Sequence, residues 1–429
     1  MSIAVTADHQ QLSAEQTATV GEQLRLALLW LTALAGAFVF VEPSPYEIVS
    51  LATILLFLFA GLTLSSVIMP MILLLAVYNV GFSLSVLPVA SQPKVVQWVL
   101  ISWYLGATCI FFAAALSRNT MQRVSILVRG YTLGAVIASL AGIGAYFGVI
   151  PGASELFLRF GRAQGTFNDP NVLGAFLVFP ALIAFQRILV GRLRDTLAGS
   201  LQLAIFSLAV LLSFSRAAWG QLVFCMALMM LLTLLTTFSG RVRIRIVILT
   251  ILGVLVFAGL IAMVLSFDSV GGLFKERASL EQSYDSGPMG RFGRHIVGFQ
   301  MALDLPFGIG PMQFSKTFVE DPHNAYLNAF MSGGWLAGFS YIILTILTLF
   351  AGARYLLVQT PWQRIYIAVF AAYVGLALES AIIDSDHWRH YFLIVGVLWG
   401  LIAATRRYLN QSRRRRAEMP PLATMARTA

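Results

Sequence analysis

The sequence reads as an all-α integral membrane protein with about 12 transmembrane helices, and three observations carry that reading. Of its 429 residues 58% are hydrophobic and only 11% charged, with a mean hydropathy of +0.81, far from the composition of a soluble domain. Apolar runs of the ~20 residues that cross about 30 Å of hydrocarbon recur through almost the whole length. The polar joints between them are mostly short, and β-barrel alternation is absent.

Taken in order, the crossings are expected at 22–42, 46–65, 68–88, 96–117, 124–150, 171–190, 197–214, 217–238, 245–266, 324–350, 365–383 and 390–408. The polar stretch 1–21 lacks the basic, then apolar, then small-residue order of a cleaved signal, so the first helix is expected to stay in the mature chain. The organisation is therefore a tail (1–21), nine helices (22–266), a long loop with short helices (267–322), three further helices (323–408) and a basic tail (409–429).

The net charge of +10 sits in alternate joints: Arg118 and Arg123; Arg187, Arg192 and Arg194; Arg241, Arg243 and Arg245; Arg354 and Arg364; then Arg406, Arg407 and the run Arg413 to Arg416. The positive-inside rule makes these joints cytoplasmic, which puts both termini inside, as an even number of crossings requires. Such charge serves topology and attraction to anionic lipid rather than nucleic-acid binding. Cys109 and Cys225 both fall in apolar runs and form neither a metal-ligand spacing nor a disulfide framework.

The other face holds nearly every polar motif: Gly161 to Asn171 (GRAQGTFNDPN), Ser213 to Trp219 (SFSRAAW), the 267–322 loop, and Asp384 to His390 (DSDHWRH). Four separated segments meeting at one face describe a composite site. Within the loop, Ile296, Val297, Phe299, Gln300, Met301 and Leu303 give a short amphipathic helix suited to the membrane interface, ending at Pro306 and a glycine-permitted PFGIG turn. Asp321 is placed to cap the tenth crossing with Pro322 in its first turn, which sets His323 and Asn324 at a helix N-terminus. Free N–H groups there favour an anion and a neutral imidazole, and a neutral imidazole can accept a proton from a hydroxyl. The same device recurs where Asp169 and Pro170 open the sixth crossing and Asn171 follows. A guanidinium between two apolar runs, as at Arg216, is costly unless it has a function. Arg291 and Arg294 precede the amphipathic helix, and planar guanidinium forks near helix N-termini suit a phosphate.

The stretches GRAQGTFNDPNVLGAFL, SFSRAAWG, GRFGRHIVGFQMALDLPFGIGPMQF and HNAYLNAFMSGGWLAG resemble, in order and spacing, the O-antigen ligase and polymerase superfamily of bacterial envelope polysaccharide enzymes. The resemblance runs from Gly161 to Gly338; the first five crossings carry no matching motif. It implies a metal-independent membrane glycosyltransferase of the bacterial inner membrane that needs no cofactor. Its active site would face the periplasm, with a saccharide on undecaprenyl diphosphate as donor and a saccharide or lipid A core as acceptor. By this resemblance His323, Arg216 and Arg291 are the catalytic candidates, with the two arginines on the diphosphate. Arg162, Asn168, Asn171, Arg294, Asn324, Asp386 and Arg389 are the substrate-binding candidates. His295 stands where many members carry an aromatic residue, and is a second histidine candidate.

The physical reading agrees, because a departing diphosphate needs preorganised positive charge. No nucleotide-binding motif is present, and the only acidic pair on the outer face, in Asp384 to Asp386, reads as a charged turn cap. A transporter is the rival class, since about twelve crossings with both ends inside is a transporter plan. Against it, the two halves show no similarity, and ionisable residues are scarce in the middle of the crossings, Glu379, near the outer end of the eleventh, being the one clear candidate. A non-catalytic partner in envelope assembly is the third reading. The outer loop interleaves Asp268, Glu276, Glu281, Asp285, Glu320 and Asp321 with few basic residues. It lacks the basic bias that a phosphorylated core acceptor favours, which tilts the reading toward an exported polysaccharide.

Overall fold

The computed structural model describes residues 20–41, 43–149, 151–237, 240–318 except 266–289, and 320–418. Twelve long helices are present among them: α1 (20–35), α2 (Pro45–Phe59), α3 (Met69–Ser85), α4 (Pro93–Leu116), α5 (Thr120–Tyr146), α7 (Pro170–Val190), α8 (Leu193–Leu212), α9 (Arg216–Thr236), α10 (Gly240–Leu265), α13 (Ala325–Ala353), α14 (Gln363–Glu379) and α15 (Arg389–Glu418). Each of the twelve expected crossings falls on one of them. Eight meet the length and apolarity of a membrane span among the described residues: α3 with the 3₁₀ turn before it, α4, α5, α7, α8, α9, α13 and α15. Exposed Leu73, Leu100, Leu140, Leu201 and Leu231 line the outsides of these helices, a liability in water and the expected surface in lipid. The chain is an all-α multi-span membrane protein.

Three shorter helices punctuate the bundle: α6 (Ser154–Phe157), α11 (Arg291–Asp304) and α12 (Phe314–Phe318). The only strands among the described residues, Leu158–Arg159 and Arg162–Ala163, make a two-residue hairpin whose tip, Phe160 (φ 52°) and Gly161 (φ 70°), has the left-handed backbone of such turns. Of the expected outer loop, 267–289 and 319 lie outside the described residues, and with them Asp268, Glu276, Glu281 and Asp285.

α7 is enclosed almost completely, packing on α8, α9 and α14, while α3 runs along α13 and α4 along α15. Close approach of α4 and α15 depends on two glycines one turn apart. A Cβ at Gly396 would lie 2.4 Å from the Cys109 carbonyl oxygen, and one at Gly400 3.0 Å from that of Ala113.

α13 is broken at Gly334 (φ 66°, ψ −163°), and the PFGIG turn repairs the break. The Trp335 N–H donates to the Pro306 carbonyl (2.9 Å), and the Ile309 N–H donates to the Met331 carbonyl (2.7 Å). The loop backbone thus replaces the helix ladder where buried backbone groups would otherwise lack partners. α11 is amphipathic as expected. Arg294, Gly298 and Ala302 face α13, and Phe292, Ile296, Phe299 and Leu303 form an exposed apolar stripe.

Candidate active site

The chain alternates direction with each long helix, so α2, α4, α7, α9, α13 and α15 all begin at one end of the bundle. Their partial positive charges gather at that end, which suits an anionic substrate. Three of the four polar segments singled out in the sequence lie there, with the described end of the fourth, from 290 on.

α7 begins as expected. Asp169 is its N-cap, with Oδ1 accepting the Asn171 N–H at 2.7 Å, and Pro170 occupies the first turn. Arg162, delivered by the hairpin, donates through Nε to the Ser213 carbonyl (2.7 Å) and through Nη2 to Asn171 Oδ1 (2.8 Å). It therefore ties the α7 start to the α8–α9 joint. Arg216 is the first residue of α9, half-buried behind the Ser215 cap. The Cys225 thiol meets the Ala371 carbonyl, and Gln221 lies opposite Gly375. Continuing that antiparallel register sets Arg216 level with Ser380.

The α13 start departs from expectation. Its N-cap is Asn324, whose Oδ1 accepts the Leu327 N–H (3.1 Å), and not Asp321; His323 precedes the helix with φ 50°. The reason is competition from the α14–α15 turn. The Ser380 and Ile383 carbonyls accept the Ala325 N–H, and Asp384 Oδ1 accepts the Asn324 N–H (3.1 Å). From the other side α11 holds the incoming chain. Buried Arg294 pairs with Glu320 at 2.8 Å, and the His295 ring donates from Nε2 to the Pro322 carbonyl at 2.6 Å. His323 is clamped between these two sets of contacts, which sustains a backbone conformation that costs a non-glycine residue of order 1–3 kcal/mol. Burial pushes the Asp321 carboxyl above its usual range, the neighbouring Asp384 charge adds to the effect, and hydrogen bonds from Ser315 oppose it.

His323 is 35% exposed, and its Nδ1 lies 3.1 Å from Asp384 Oδ2. A carboxylate accepts only, so the neutral ring places its proton on Nδ1 and leaves Nε2 as the acceptor. Glu320 Oε2 is 3.8 Å from Nε2, beyond hydrogen-bond distance. The assignment is reversed in His295, where a carbonyl occupies Nε2. That contact positions Pro322.

Asp386, two residues from Asp384, is buried and accepts from Asn328 Nδ2 (2.9 Å), while Asn328 Oδ1 accepts from the Ser332 hydroxyl (2.9 Å). It anchors the second turn of α13. Arg389, first in α15, donates through Nε to Glu47 of α2 (2.5 Å), and the other Glu47 oxygen accepts from the Ser44 backbone and hydroxyl. Asn168 and Asp169, from one side, and His387, Arg389 and His390, from the other, line a cavity of ≈ 130 Å³.

Of the candidates, His323, Asn324 and Asp386 thus come together through the α14–α15 turn; Arg294 braces His323 through Glu320; Asn168 and Arg389 share the cavity; Arg162 and Asn171 brace the α7 start. The side chain of Arg291, at the first position of α11, lies outside the described residues. Asp384, Glu320 and Glu47 were not among the sequence candidates. For Asp384 the signal was the acidic pair itself, which read only as a turn cap. For Glu47, in a crossing without motifs, no signal was present.

The arrangement can accept a proton at one imidazole nitrogen beside a cluster of helix N-termini and arginines. A comparison with curated proteins finds no match. Residues 201–342, which take in most of α8, then α9, α10, α11, α12 and the first half of α13, match the family described as O-antigen ligase. Together with the ordered motifs, this match supports the O-antigen ligase superfamily for this chain and an O-antigen ligase or polymerase type of membrane enzyme.

Proposed function

We propose that the chain is a glycosyltransferase that transfers or polymerises an undecaprenyl-diphosphate-linked oligosaccharide at the periplasmic face of the inner membrane. The observation that carries the proposal is the Asp384–His323 pair, held ahead of α13 with the imidazole partly exposed. His323 Nε2 takes the proton of the acceptor hydroxyl as its oxygen attacks the anomeric carbon of the donor sugar. The bond from that carbon to the diphosphate oxygen breaks, and its electron pair leaves with the lipid diphosphate. Arg216, with Arg291 as its partner, binds that developing charge, aided by the helix N-termini. Asp384 holds the imidazole in the required tautomer and steadies the imidazolium. No step in this scheme calls on a metal.

The sidedness has support from charge. Along α15, Arg406 lies about 25 Å from Arg389 at ~1.5 Å per residue, so the arginine-rich joints end opposite the His323 face. Envelope polysaccharide of the O-antigen or exported class is the product this reading assigns. The deciding experiment incubates purified protein with lipid-linked repeat units, with and without lipid A core. Longer lipid-linked chains without core identify a polymerase, and product only with core identifies a ligase. No transfer under either condition, from protein that is folded and membrane-inserted, overturns the proposal.

A further inference from the structure

At the end of the bundle opposite His323, a second cavity of ≈ 430 Å³ is lined by Arg118 from the α4–α5 joint and by Arg406, Arg407 and Arg414 from the last turns of α15. Ser66, before α3, and Asn410 add polar groups to its wall. Arginine at the cytoplasmic ends of helices is ordinary, and the helix dipole favours it there. Convergence on one cavity without counter-charge is not. Arg25 and Arg123, at the same end, both pair with Glu22 at 2.9 Å. Among the described residues none of the four cavity arginines has a carboxylate partner, and no acidic side chain lines the cavity. Arg118, Arg406 and Arg414 are exposed and Arg407 half-buried, so all four can turn toward a bound group. Like charges held together repel, and an anion that accepts several guanidinium forks removes that repulsion while forming paired, charge-assisted hydrogen bonds. Volume and donors fit a phosphate-bearing group of headgroup size.

We infer that this cavity is an anion site for a phosphate ester or diphosphate, separate from the transfer site and presented to the opposite surface. The same chemistry belongs to an anionic lipid headgroup and to a soluble phosphate, and a basic pocket between helix ends is placed to take the former from the adjacent leaflet.

The test uses full-length protein purified in neutral detergent. Native mass spectrometry follows retention of phosphatidylglycerol against phosphatidylcholine, and the thermal transition is followed against inorganic pyrophosphate. Preferential retention of phosphatidylglycerol assigns the site to lipid, and a saturable pyrophosphate shift alone assigns it to a soluble anion; either supports the inference. Arg118→Gln with Arg407→Gln should weaken the effective ligand about tenfold. Arg192→Gln with Arg194→Gln, which removes equal charge from an exposed joint, should leave it unchanged. Arg414→Gln, on an exposed turn and tolerable to the fold, should weaken it about threefold. Equal retention of both lipids with no pyrophosphate shift overturns the inference. So does equal weakening by the two double variants, which would mean diffuse surface charge, or an unchanged Arg414→Gln.

Discussion

Two helix starts in this molecule carry nearly the same four residues, Asn168-Asp169-Pro170-Asn171 at the start of α7 and Asp321-Pro322-His323-Asn324 ahead of α13. At the first, local rules win: Asp169 caps and Pro170 occupies the first turn. At the second, three acceptors from the α14–α15 turn and two contacts from α11 compete with the local cap, and the helix begins three residues later, on Asn324. The displacement moves a histidine from the helix to a left-handed position ahead of it, with its Nδ1 on Asp384. A cap worth about 1 kcal/mol is readily outcompeted by tertiary hydrogen bonds. The strained residue is the one to which the proposed mechanism assigns the proton transfer.

The largest expected effect separates the two starts by function. His323→Ala should lower transfer activity by about 10²–10⁴, the range of a lost general base, and Asp384→Asn by about 10² or more, because an amide no longer dictates the tautomer. The α7 counterparts should behave as scaffold. Asn171→Ala loses a tether to Arg162, and Asp169→Asn keeps a side chain that caps equally well, so both should retain activity within about tenfold. Initial rates with lipid-linked donor, on protein matched for membrane level, decide this. Comparable losses in the two sets would remove the distinction drawn between the two sites.

A smaller effect sharpens the structural half. Asn324→Ala and Asp169→Ala each remove an observed cap and should each cost about 1 kcal/mol in stability, whereas loss of a cap at Asp321 should not be measurable by that route. Denaturation in detergent, compared across the three alanine variants, checks it. A loss at Asp321 equal to that at Asn324 would return the cap to the position the local sequence favours.

Twelve helices were legible because each crossing must bury its own backbone, and length with apolarity then leave little choice. Arginine placement supplied the expected assignment of faces, and its neighbours singled out His323 as a candidate. What composition and periodicity could not supply were the partners. Asp384 reaches back 61 residues to His323, and Glu47 meets Arg389 across 342 residues of chain. Such pairs are fixed by packing, not by local propensity, and an acidic residue in a crossing without motifs carries no mark of its partner. The Gly334 break was hidden for the same reason: a glycine within a long apolar run is tolerated in a span, and only the PFGIG backbone, 25 residues earlier, shows why it is needed.

The smallest expected effect concerns Asp321, the residue freed from capping. Half-buried beside Asp384, its carboxyl binds a proton more tightly in the folded chain than in the unfolded one. Below the unfolded value, ~3.9, it is protonated in both states and costs nothing. As pH rises the unfolded chain releases its proton first, so ionising Asp321 in the folded chain costs stability, and that cost grows until pH passes the raised folded value and then persists. Asp321→Asn keeps an oxygen for the Ser315 hydrogen bonds and removes the charge. It should therefore raise the thermal transition at pH 7 by about 1–2 °C, and the gain should shrink as pH falls and vanish at pH ~3, below the unfolded value. A gain of the same size at both pH values would mean packing and not charge. No gain at pH 7 would mean that Asp321 is already relieved by its surroundings, and that displacement of the cap leaves no residual strain at this helix start.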